Sequence, residues 1–187
     1  MILPNLQTFR CLRSFGGFSS HEIFIKFLEN NEENLTDFYV NDDVIKWLNP
    51  SIIRYGLNLK ELFAHIGKGG SDVLKNIFNS CQYLESIEIW CNGSFSSCID
   101  VKEMLDIVVK YSPRNFSRLE ILYYGKTNLL PETLESFFIS WGKRTPRNRW
   151  FDRMYNLNEE NKTIIEKYQN LGIVEVYTEY KKDSYFF

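Results

Sequence analysis

The chain has 187 residues, 44% of them hydrophobic and 25% charged, a composition that excludes disorder over most of its length. Its formal net charge is −2, with Lys and Arg interleaved among Asp and Glu, which excludes a nucleic-acid partner held by a positive field. The start, Met1-Ile2-Leu3-Pro4-Asn5-Leu6, lacks the basic and apolar regions of a signal peptide, and no run reaches the roughly 18 apolar residues of a membrane span; an intracellular protein, cytoplasmic or nuclear, with no membrane partner is expected.

In chain order, short strand patterns alternate with helical ones. The first is Leu6-Gln7-Thr8-Phe9-Arg10-Cys11, an L-x-x-φ-x-φ string with φ apolar, and a helical pattern over Ser20–Asn30 follows it. Leu35-Thr36-Asp37-Phe38-Tyr39-Val40 repeats the string, as does Leu59-Lys60-Glu61-Leu62-Phe63-Ala64, which leads through a glycine-containing turn into a helix over Asp72–Cys81. Leu84-Glu85-Ser86-Ile87-Glu88-Ile89 precedes a helix over Asp100–Tyr111. Leu119-Glu120-Ile121-Leu122-Tyr123-Tyr124 precedes one over Pro131–Trp141. A further repeat belongs near 148–156, but Arg149-Trp150-Phe151-Asp152-Arg153 matches it poorly. A helix over Glu159–Asn170 and the echo Ile173-Val174-Glu175-Val176-Tyr177-Thr178 close the series, and 179–187 read as a flexible tail.

The spacings between the first five strings are 29, 24, 25 and 35 residues, mostly within the 20–29 of leucine-rich repeats. Period-two alternation turns the φ side chains inward. Helix starts are marked by Ser20 and Ser71 as N-caps and by Pro131 at a first helical position, and Gly172 stands where a C′ glycine belongs. One strand–helix unit cannot bury both of its apolar faces, so neighbours must stack. With right-handed crossovers, the expected fold is an α/β leucine-rich-repeat solenoid over residues 1–178. It has a curved parallel β-sheet on the concave side and helices on the convex side. An ordinary six-stranded α/β domain would not require matched positions in every strand.

The wording of several segments is more specific. Asn79-Ser80-Cys81-Gln82-Tyr83-Leu84-Glu85-Ser86-Ile87-Glu88-Ile89 and Leu3-Pro4-Asn5-Leu6-Gln7-Thr8-Phe9 resemble the cysteine-containing leucine-rich repeat. Tyr83–Cys91, Leu134–Trp141 and Ile164–Ile173 resemble the F-box/leucine-rich-repeat-like family of arbuscular mycorrhizal fungi, over nearly the whole chain, from about Leu3 to Val176. That resemblance implies the substrate-binding part of an F-box ubiquitin-ligase receptor, in which an F-box holds the ligase adaptor and the repeats hold the target. Here the first repeat strand follows Met1 directly, so adaptor binding is expected only if an F-box exists upstream. The alternative is a free-standing or truncated repeat module that binds a partner without ligase recruitment. Leu6, Phe9 and Cys11 open the stack uncapped, and self-association or reduced stability is expected from that end.

The candidate partner-binding residues are those turned outward. Aromatic residues are 16% of the chain, more than a small core needs, and rings make good interface anchors. The fourth position past each leading residue reads Arg10, Tyr39, Phe63, Glu88 and Tyr123, extended by Tyr177; the sixth reads Leu12, Asn41, His65, Trp90 and Gly125. Partner contacts are expected at Arg10, Tyr39, Phe63, His65, Glu88, Trp90 and Tyr123, with the target protein unidentified.

Other motifs point to no chemistry. Gly67-Lys68-Gly69-Gly70-Ser71-Asp72 has neither the third glycine of a dinucleotide loop nor the Gly-Lys-Ser/Thr of a P-loop, and reads as a turn. Cys81, Cys91 and Cys98 lack the spacing of a structural zinc site. With Cys11, they are expected as buried thiols. His21 and His65 are the only histidines, each alone in its repeat, which gives no catalytic pair. No enzyme activity, cofactor or metal is expected.

Overall fold

A computed structural model describes residues 2–3, 5–11, 19–31, 33–40, 58–91, 98–123, 129–144, 150–152 and 157–176. The strands are β1 (Thr8–Cys11), β2 (Asp37–Val40), β3 (Glu61–His65), β4 (Ser86–Cys91), β5 (Arg118–Tyr123), β6 (Trp150–Asp152) and β7 (Val174–Val176). The helices are α1 (Ser19–Glu29), α2 (Ser71–Ser80), α3 (Val101–Tyr111), α4 (Pro131–Gly142) and α5 (Glu159–Asn170). The architecture is α/β. Strands β1 to β5 form one parallel sheet in sequence order, and β6 pairs with β7 in a second, also parallel. β6 lies beside β5 without joining its ladder. The segment expected to be a degenerate repeat is therefore a strand.

One backbone arrangement recurs at all four steps of the larger sheet. The carbonyl of Gln7 accepts from both Thr36 N and Asp37 N, at 2.9 and 3.0 Å. In the same way, Thr36 O accepts from Lys60 and Glu61, Lys60 O from Glu85 and Ser86, and Glu85 O from Ser117 and Arg118. A turn leads into the strand in at least three of the five cases, with Leu6 N donating to Leu3 O, Leu84 N to Cys81 O, and Phe116 N to Pro113 O.

The register corrects the fifth repeat. Leu119 stands opposite Ile87, and Ile121 opposite Ile89. The residue matching Leu6, Leu35, Leu59 and Leu84 is thus Phe116 rather than Leu119, a slip of three positions. Phe116 takes the leucine place because its ring fills it. It is fully buried, edge-on to Phe78 at 5.2 Å and to Trp141 at 6.0 Å.

Inward strand residues Phe38, Leu62, Ala64, Ile87, Ile89, Leu119 and Ile121 share one core with the helices. Each helix presents an i, i+3, i+4 stripe: Leu74, Ile77 and Phe78 from α2, Met104, Leu105, Ile107 and Val108 from α3, Leu134, Phe137, Phe138 and Trp141 from α4. The helix starts partly match expectation. Pro131 opens α4, and Asp100 caps α3 by accepting from Glu103 N at 2.9 Å. α1 begins at Ser19, so Ser20 lies inside its first turn. Ser71 does not cap α2; Gly70 holds that position, its carbonyl accepting from Leu74 N at 3.0 Å, and Ser71 is the first helical residue.

The C-terminal ends are closed in several ways. Gln82 Nε2 donates to Phe78 O and Asn79 O beyond α2. Arg144 reaches back from α4 to α3, donating through Nη1 to Val108 O at 2.8 Å, Val109 O at 2.6 Å and Ser112 Oγ at 2.6 Å, and through Nη2 to Ser112 O. Gly172, at φ +70°, ends α5 as expected. Gly172 N donates to Gln169 O and Ile173 N to Tyr168 O, the bond pair of a Schellman motif.

Candidate functional site: the sheet face opposite the helices

Alternation along β1 to β5 sends one set of side chains into the core and the other to the opposite face. The pairing aligns that outward set in rows. Thr8, Asp37, Glu61, Ser86 and Arg118 form the first; Arg10, Tyr39, Phe63, Glu88 and Glu120 form the second. His65 and Trp90 stand together in a third, opposite Leu122. Six of the seven expected contact residues (Arg10, Tyr39, Phe63, His65, Glu88 and Trp90) therefore lie in adjacent rows.

Tyr123 does not. It pairs with Cys91, outside the row, because the three-residue slip in the fifth repeat reverses the alternation there. Glu120 takes the position, and Arg118 joins the first row. The side chain of Tyr123 lies outside the described residues, as do those of Cys11 and Cys91 and all of Leu12, Asn41, Gly125, Tyr177 and the 179–187 tail.

The aromatic members touch in sequence. The Arg10 guanidinium lies 4.6 Å from the Tyr39 ring centroid, Tyr39 is 5.9 Å from Phe63, and Phe63 is 5.8 Å from Trp90. The middle ring is flanked on both sides, and Phe63 is only 5% exposed; His65 is 8% exposed. The accessible part of the row is thus Arg10, with Tyr39, Glu88 and Trp90 half-buried.

Electrostatics divide the face. Tyr39 Oη donates to Glu61 Oε2 at 3.3 Å, and Thr8 Oγ1 to Asp37 Oδ2 at 2.9 Å. Arg118 Nε donates to Glu120 Oε1 at 2.7 Å, with Nη2 on the same oxygen. Burial pulls the Arg118 pKa down, but the Glu120 hydrogen bond and charge, with Glu61 and Glu88 nearby, more than offset it and leave it above the usual arginine value. Sequence reasoning missed the Arg118–Glu120 pair. The available signal was Phe116-Ser117-Arg118-Leu119-Glu120-Ile121, which fits the strand pattern once Phe is allowed at the leading position.

The remaining motifs resolve as structure. In the glycine-containing turn, Gly69 has φ +77°, which favours glycine. A Cβ on Gly70 would stand 2.4 Å from Ile66 Cγ2 and 2.8 Å from Gly67 O. Gly67 also bridges to Cys98, and Ile99 N donates to Ile66 O at 3.2 Å. The glycines serve a corner joining two successive loops. Cys81 and Cys98 are buried free thiols, and no group of metal-ligating side chains occurs among the described residues. No described helix is long and apolar enough to cross a membrane. No protein-family model, curated protein or solved structure matches the chain.

Proposed function

We propose that the chain is a target-recognition repeat domain, a leucine-rich-repeat-like solenoid whose concave sheet face holds a partner protein. It would correspond to the substrate-binding part of an F-box ubiquitin-ligase receptor. The observation that carries this reading is the identical backbone junction at four successive steps. A chain built by repeating one step displays one outward residue per strand in each row, and stacked repeats use such rows as extended binding surfaces. The chemistry of the rows agrees, since rings and an arginine at the centre of a surface are what interface anchors require. Adaptor recruitment belongs to an F-box rather than to repeats.

The test is quantitative capture of partners from native extract. Tyr39→Ala and Trp90→Ala should each lose a shared set of partners, while Ile139→Ala, on an exposed site of α4, should keep it. Retention of that set by both sheet-face variants, with unchanged circular dichroism, would overturn the proposal. Phe63 is unsuitable here, because truncating a buried ring tests packing. Co-purification of a ligase adaptor with the full chain would add the receptor role; its absence would leave a partner-binding module.

A further inference from the structure

The larger sheet ends at β1, where the junction that closes every other step stays open. Strands β2 to β5 each begin with two amides donating to a carbonyl of the strand before, whereas no described residue supplies such a carbonyl to Gln7 and Thr8. Along a strand, the backbone N–H and C=O groups of successive residues point alternately to its two sides. Because the Gln7 carbonyl serves Asp37, Gln7, Phe9 and Cys11 address β2, and Thr8 and Arg10 turn both of their backbone groups away from it. Gln7, Thr8 and Arg10 are exposed. Phe9 is half-buried, whereas its counterparts Phe38, Leu62, Ile87 and Leu119 are all buried. An exposed edge of this kind is a template for another strand.

The residues of β1 suit a second β1. About a twofold axis, two such strands can meet antiparallel with Thr8, Phe9 or Arg10 at the centre. Centred on Arg10, two guanidinium groups stand directly opposite, which repels. Centred on Thr8, Arg10 falls opposite Leu6, whose N–H is already given to Leu3 O. Centred on Phe9, Thr8 of each copy falls opposite Arg10 of the other, and each such pair exchanges both of its backbone hydrogen bonds. Every outward N–H and C=O of the two residues is then satisfied, and no like charges face each other. Phe9 meets Phe9 in the intervening pair, where side chains approach closest, and the two half-buried rings cover one another. We propose that the chain forms a closed twofold dimer through β1, paired antiparallel about Phe9, which joins the two outward faces on one sheet. An isologous contact of this kind closes after two copies. A head-to-tail stack finds no matching edge, because β6 lies beside β5 and β6 and β7 have only three residues each. The dimer does not depend on the partner-binding function proposed above.

Sedimentation equilibrium of the full 187-residue chain, over a wide concentration range, should fit a monomer–dimer equilibrium that stops at two copies. Arg10→Pro removes the outward N–H at a place where an edge strand tolerates proline. It should raise the dissociation constant by at least about tenfold, the effect of two lost hydrogen bonds. Arg10→Ala keeps that N–H and should stay within about threefold of the parent. In the unsubstituted protein, amide exchange at Thr8 and Arg10 should slow as concentration rises, while exchange in β4 and β5 stays the same; this measurement decides the matter if Arg10→Pro fails to fold. A monomer at every concentration, growth beyond two copies, or equal weakening by alanine and proline would overturn the inference. So would protection of the Thr8 and Arg10 amides that is independent of concentration, since a segment of the same chain would then hold the edge.

Discussion

Cys81 follows the last residue of α2 with its side chain completely enclosed. Burial pushes its thiol from 9.0 up to about 12, because a thiolate there would be a charge without water. At pH 8 its thiolate fraction is roughly a thousandfold below that of a free cysteine, each pH unit counting tenfold. Iodoacetamide should therefore spare Cys81 in the native protein and label it only after denaturation, which peptide mapping by mass spectrometry reads directly. The same shift has a sign for stability. The folded state holds this proton more tightly than the unfolded one, so its contribution is complete below pH 9 and is lost as pH rises towards 12. Thermal midpoints should fall over that range less steeply in Cys81→Ala than in the parent; parallel curves would show that the thiol proton is not involved. Gly70 marks the same density of packing, since even a methyl group there would meet Ile66 and the Gly67 carbonyl.

Arg144 works between elements. Helix α3 ends with carbonyls that have no partner inside the helix; Ser112 N and Oγ donate to Val108 O, and a guanidinium from 32 to 36 residues further on donates to the carbonyls of Val108, Val109 and Ser112. Burial lowers its pKa but leaves it charged, as arginine is in proteins. Arg144→Ala should cost about 2–3 kcal/mol, the scale for removing a charged donor from several acceptors, measured by urea unfolding. Arg144→Lys should restore only part, because an ammonium lacks the planar fork; full rescue by lysine would show that charge alone matters. No local signal in the sequence discloses this contact, which exists only once α4 lies against α3. The helices and strands themselves were legible, because each pairs a hydrophobic period with a turn or cap. The exception is β5. Leu119, Ile121, Leu122 and Tyr123 are apolar at both parities, so alternation could not choose a register, and the decisive residue, Phe116, is not the leucine the pattern asks for. The site inherits that limit. Arg10, Tyr39 and Glu88 were readable as a row, whereas Glu120 and Arg118 waited on the register. The enclosure of Phe63 waited on rings from two other strands.

Across the molecule, enclosure of the leading residue increases along the sheet. Leu6 is only partly buried, Leu35 and Leu59 are 8% and 4% exposed, and Leu84 and Phe116 are fully covered. Local opening is easiest where covering contacts are fewest. Amide hydrogen exchange should therefore be fastest in β1, slower in β2 and β3, and slowest in β4 and β5; uniform protection across the five strands would contradict the gradient. The parallel order was legible because one strand pattern recurs in chain order with helical patterns between, yet the separation of β6 and β7 from the larger sheet was not, since the β6 segment carries little of the pattern. The junction that joins the strands uses backbone atoms alone, and the residues supplying its carbonyls, Gln7, Thr36, Lys60 and Glu85, share no side-chain chemistry. Mutation can therefore rewrite those side chains, and the outward ones beside them, without altering how one unit meets the next. Lineages descended from such a chain could change the chemistry of that face while keeping the frame that presents it.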